Sequence, residues 1–78
     1  SLEAASVAVD ELADELLDLD RALDELAVRN LRHARVVECR FFAGMSLDET
    51  AAALGISNAT VRRDWALARA WLNRELSE

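Results

Sequence analysis

Arg62 and Arg63 stand side by side near the start of a helical pattern. Guanidinium groups so placed offer planar donor forks that match a guanine edge or a phosphate. At 100° per residue, Ala59, Arg63, Ala66 and Ala70 fall opposite an apolar stripe of Val61, Trp65, Ala68 and Leu72. Arg62 and Asn73 lie on one flank, and Leu67 and Arg74 on the other. Small outward residues let such a helix sink into a major groove while the arginines reach base edges or phosphates from its first two turns. The plainer reading of the same residues is a solvated helix face, where paired arginines signify only solubility.

Other chemistry has little support. His33 is the only histidine and, without a second ligand or a nucleophile, is most simply an exposed helical residue. No Ser/His/Asp arrangement, glycine-rich phosphate loop or metal-ligand cluster occurs, and no cofactor is expected. The acid pairs Asp10–Glu11 and Asp24–Glu25 are sequence neighbours that point to different azimuths, so they cannot act as an acid/base couple. Cys39 is the sole cysteine and reads as a small buried hydrophobe beside Val36, Val37 and Phe41. An enzyme is not expected, nor a small-molecule substrate. There is no signal-peptide pattern and no run of 18 apolar residues, which points to a soluble cytoplasmic protein without membrane contact. The first residue is not methionine and the pattern starts midway, as in a piece of a longer chain.

The arginine helix must be held by what precedes it. Ser46 and Glu49 have the spacing of a capping box and open a short helix through Leu54, with Ala51 on its inner face. Gly55 follows where a left-handed residue closes a helix, Ile56 points inward, and Ser57 caps the arginine helix. This is the layout of a helix-turn-helix. Upstream, Asn30 caps a helix running through Phe42, with Leu31, Ala34, Val37 and Phe41 inside and Gly44 as its stop. Arg32, Arg35 and Arg40 fall on its more exposed sides, where they meet phosphates or solvent.

Val9, Leu12, Leu16, Leu19, Leu23 and Leu26 repeat at three and four, giving an acidic helix with a heptad-like stripe. Packing on the helix-turn-helix core is the favoured destination of that stripe; a seam for a partner helix or a second copy is the alternative. Residues 1–6 read as a loose linker end.

Seventy-eight residues allow one core, and a chain with no proline, two glycines and abundant alanine and leucine supports no strands. The fold class is therefore all-α, a small bundle of about four helices containing a helix-turn-helix. The net charge of −6 is divided unevenly. Residues 1–28 hold nine acids against Arg21, or −8, whereas residues 29–78 hold eight arginines against six acids, or +2. The acidic helix is thus an appendage whose field keeps non-specific DNA affinity modest.

The segment LRHARVVECRFFAGMSLDETAAALGISNATVRRDWALARAWLNREL resembles the C-terminal region 4 domain of bacterial sigma factors, particularly the extracytoplasmic-function (ECF) type. The preceding LDLDRALDELA is similar to that domain's first helix, so the likeness covers about residues 17–76 and leaves 1–16 as an acidic linker or helix extension. It implies recognition of the promoter −35 element, docking on the β flap of RNA polymerase, and control by an anti-sigma factor or by extra segments of the protein itself. The base-reading positions fall on Arg62, Arg63, Ala66 and Leu67, the phosphate-contacting arginine on Arg69, and Asn58 and Thr60 join them from the first turn. Ala66 and Leu67 replace larger or polar side chains common in relatives, restricting them to contacts such as thymine methyls. Leu31 stands where proline is common and Cys39 where leucine is usual. These 78 residues contain no −10-binding region of the kind a sigma factor also needs. A response-regulator-type output domain is the runner-up, and a helical interaction module without DNA affinity is the reading from another class.

Overall fold

The computed structural model describes residues 2–77. Four helices are formed: α1 (Leu2–Arg29), α2 (Leu31–Val37), α3 (Leu47–Leu54) and α4 (Asn58–Leu76), with a π-helical turn, Glu38–Phe42, prolonging α2. No strand occurs among the described residues. None of these helices is long and apolar enough to cross a membrane.

Two apolar clusters hold the bundle. In the first, Ala22 and Leu26 of α1 meet Ala34 and Val37 of α2 and Ala68 and Leu72 of α4. In the second, Val36 of α2 meets Ala51 of α3 and Val61 of α4, with Leu47, Leu54 and Ile56 packed against them. Trp65 touches both, so its indole is the wedge through which one core continues into the other. Half-buried Trp65 also carries the guanidinium carbons of Arg40 and Arg69 at 5.6 and 5.3 Å from its ring centre, within cation–π range.

Because α2 is sandwiched between the clusters, its inner arc runs through His33, Val36, Val37 and Arg40. The line of Leu31, Ala34, Val37 and Phe41 expected from spacing is only half correct. Ala34 and Val37 are buried, but Leu31 and Phe41 are 55% and 65% exposed. The π turn contributes to this shift. Ala43 N–H donates to the Glu38 carbonyl at 2.9 Å, a five-residue closure that adds a residue to the turn and rotates Phe41 and Phe42 outward. The two rings stack edge to face, 5.1 Å apart. Cys39 is half-buried, not enclosed.

α1 diverges most from its expected packing. It begins at Leu2, so residues 2–6 are its opening turns and no loose end; Ser1 lies outside the described residues. Twenty-eight residues at 1.5 Å each make a rod of about 42 Å, while the molecule measures 49 × 22 × 16 Å. Only the C-terminal part has anything beneath it: Leu26 is buried and Leu19 and Leu23 are partly covered. Val9, Leu12 and Leu16, on the same stripe, are 63%, 54% and 57% exposed.

Gly55 has φ +67°, and a Cβ there would meet no atom within 4 Å. The cost of Gly55→Ala is therefore backbone strain, about 1–2 kcal/mol in a thermal melt. Trp65→Ala removes the wedge between the clusters, and because the ring is only half-buried the loss should sit near the low end for aromatic truncation, about 3 kcal/mol. An unchanged melting temperature would place Trp65 outside the core.

Candidate nucleic-acid interface

The turn that aims α4 is built as its sequence dictates. Glu49 N–H donates to Ser46 Oγ at 3.0 Å and Ser46 N–H donates to Glu49 Oε1 at 2.9 Å, completing a capping box. The Ser46 backbone N–H, and after it the hydroxyl, hold the Glu49 carboxyl below the usual glutamate range. Buried Thr50 donates its hydroxyl to the Ser46 carbonyl at 2.8 Å. At the other end of α3, Ile56 N–H donates to the Ala51 carbonyl at 3.1 Å, a closure that left-handed Gly55 permits. Ser57 Oγ then accepts from Thr60 N–H at 3.1 Å and opens α4.

The candidate contact residues do not form one patch. Arg62, Arg63 and Ala66 are exposed together on the outer side of α4, with Ala59 and Ala70. Thr60 is half-buried and spends its hydroxyl in the cap, accepting from Ser57 Oγ at 2.9 Å. Asn58 donates its side-chain amide to Asp48 of α3, which ties the start of α4 to the helix before it. Arg69 is exposed but leans over Trp65 toward Phe41 and Phe42. Leu67, 53% exposed, lies on the opposite flank at a cleft of about 440 Å³ lined by Leu26, Arg29, His33, Trp71 and Arg74. There the Arg29 guanidinium sits 5.5 Å from the centre of the Trp71 ring.

A side chain absent from the expected core fixes the back of this helix. Asp64, 1% exposed, accepts from Arg32 Nε at Oδ2 (2.5 Å) and from Arg32 Nη2 at Oδ1 (3.1 Å), and His33 Nε2 lies 3.2 Å from the same Oδ1. Burial pushes the Asp64 carboxyl up, but the hydrogen bond and charge of Arg32, joined by His33, outweigh it and hold the group below the usual aspartate range. The same contact raises the Arg32 guanidinium. The sequence contained a signal for this pair: position 64 lies three residues past Val61 and four before Ala68, so an acid there faces inward and requires a cation.

His33 and Arg40 depart from expectation in being partly covered, whereas Arg32 and Arg35 remain exposed. Arg32 spends Nε and Nη2 on Asp64, and His33 is mostly covered against the same carboxylate. Arg40 is half-buried, donating to the Met45 carbonyl at 2.5 Å and steadying the loop before α3. Arg35 stays on the surface with Glu38 at 3.0 Å, a pair worth little in solvent.

Asp64→Ala should lower stability by about 1.5–3 kcal/mol, the usual worth of charge-assisted hydrogen bonds. The pH dependence has a definite sign. A carboxyl whose folded pKa is depressed stabilises fully above its unfolded value of about 3.9 and loses that contribution as pH falls through the folded value. Acid unfolding followed by circular dichroism should therefore be less steep below about pH 4 in Asp64→Asn than in the parent.

Comparison with curated proteins and with solved structures returns no match. A family model described as ECF sigma factor matches residues 2–78. That match spans both the α3–turn–α4 unit with its outward arginines and the helices that hold it. The chain belongs to the ECF sigma factor family, whose members are non-enzymatic, DNA-binding factors of transcription initiation.

Proposed function

We propose that this chain is the promoter-reading domain of its sigma factor, with α4 entering the major groove of a −35 element. The observation that carries this reading is the two-sidedness of α4: Arg62 and Arg63 stand exposed over a surface of Ala59, Ala66 and Ala70, while Asp64 and Val61 lock the opposite side. The arginines supply contacts to guanine edges or phosphates, and the alanines let the helix backbone approach. Arg69 and Leu67 serve the two edges of this footprint, Arg69 toward phosphate and Leu67 toward a thymine methyl. Thr60 and Asn58 act mainly by fixing the first turn of α4, each through a hydrogen bond already described.

Polymerase binding is assigned to a neighbouring surface that meets the DNA footprint at Arg69. Leu19, Val37, Phe41, Phe42, Trp65 and Leu76 line an apolar groove of about 210 Å³ beside α4. Two exposed aromatic rings at its edge make it a suitable receptor for an apolar segment such as the β flap. An anti-sigma factor that covers the groove would exclude polymerase by direct competition. The family match removes the support for a response-regulator output domain.

In a fluorescence-anisotropy titration of −35 duplexes, Arg63→Ala should weaken binding by about 1–3 kcal/mol if it reads a base. Loss of a phosphate contact would instead reduce the salt slope by about one unit. The melting temperature should hold because the side chain is exposed. A large stability loss, or unchanged affinity, would remove Arg63 from the interface. Phe41→Ser with Phe42→Ser should weaken binding of a β-flap fragment at least about tenfold while sparing DNA affinity.

A further inference from the structure

The stripe on α1 continues past the end of the bundle. Every described residue from Glu3 to Asp18 is exposed, and cover begins only at Leu19. Val9, Leu12 and Leu16 occupy the same helical face as Leu19, Leu23 and Leu26, which pack toward α2 and α4. Beyond the bundle that face therefore presents aliphatic side chains with none of the described elements over them.

This stretch is also electrostatically opposed to itself. Asp10 and Asp14, Glu11 and Glu15, and Asp14 and Asp18 are like charges one turn apart, each pair costing a few tenths of a kcal/mol. Helical segments of this length are marginal without packing. A surface with both properties gains from an occupant that buries leucine and supplies positive charge.

We infer that Val9, Leu12 and Leu16 form a docking seam for an amphipathic helix of another protein, one with its own aliphatic stripe flanked by lysine or arginine. Charge decides the occupant. Residues 3–18 carry six acids and no basic residue, so a second copy laid along this seam would set −6 against −6 within about a Debye length. A basic helix reverses the sign of that interaction and relieves the repulsion along α1. The seam lies N-terminal to Leu19, outside the α4 face and the aromatic groove, and depends on neither the DNA nor the polymerase assignment.

The probe is a synthetic 21-residue peptide with leucine at heptad positions a and d and lysine at e and g, titrated into this chain with amide chemical shifts as the readout. A second peptide has the same composition in an order without the stripe. Saturable shifts at Val9 to Leu16 with the striped peptide are expected. Leu12→Asp with Leu16→Asp should weaken binding at least about a hundredfold, since two buried leucines are lost. Leu17→Asp adds charge at an exposed position off the stripe and should leave affinity nearly unchanged. Equal binding of the disordered-stripe peptide, or insensitivity to the Leu12/Leu16 change, would reduce the effect to bulk charge and overturn the seam. Sedimentation of the chain alone as a dimer that Leu16→Asp dissociates would overturn the basic-partner assignment in favour of a second copy.

Discussion

A carboxylate buried behind α4 sets the constraint on which the placement of its outward arginines depends. Asp64 is enclosed within the bundle, and an unpaired charge there would be costly. Arg32 resolves the problem only in one arrangement, since its Nε and Nη2 must both face the two carboxylate oxygens. Apolar contacts alone leave a helix some freedom to slide or rotate, because hydrophobic burial is non-directional. The bidentate contact removes much of that freedom. It fixes the azimuth of α4 relative to α2, and so fixes where the adjacent Arg62 and Arg63 point.

Trp65 completes the same alignment by packing. One residue beyond Asp64, it joins the α1–α2–α4 cluster to the α2–α3–α4 cluster. A chain of this size cannot afford a third layer, so small residues such as Ala34, Ala51 and Ala68 bring the helices close enough for one indole to span both cores. The guanidinium groups of Arg40 and Arg69 rest against that ring. Arg69 therefore links the packed interior to the edge of the outward face. In this member of the ECF sigma factor family the position of α4 is set from behind by one ion pair and one aromatic wedge.

The division of charge gives the two ends of the molecule different work. The arginine-bearing part is mildly positive, while α1 carries a strong negative field along a rod that leaves the bundle. The acids before Asp18 lie on the part of α1 that leaves the bundle, whereas Asp18 and Glu25 line a cleft with Glu75 and Leu76 at the C-terminal end of α4, away from Arg62 and Arg63 in its first turns. An acidic helix folded across the outer side of α4 would cover Arg62 and Arg63. Held along the axis of the bundle, it leaves the arginine face open.

Local rules made much of the molecule legible in its residues. The Ser46–Glu49 box, left-handed Gly55, the Ser57 cap and the stripe of Val61, Ala68 and Leu72 each depend on neighbours within about one or two helical turns, so type and spacing determine them. The outward placement of Arg62, Arg63 and Ala66 follows from the same periodicity. What tertiary structure alone decided involves partners distant in sequence. Asp64 is thirty-two residues from Arg32, and no helical period specifies that contact. Two-sided packing turned the inner arc of α2 toward His33 and Arg40, and the π turn moved Phe41 outward, because register in a sandwiched helix answers to both neighbours at once. The exposed half of the α1 stripe has the same cause. Periodicity establishes that one face of a helix is apolar, but the length of the elements packed beneath it decides how much of that face is covered.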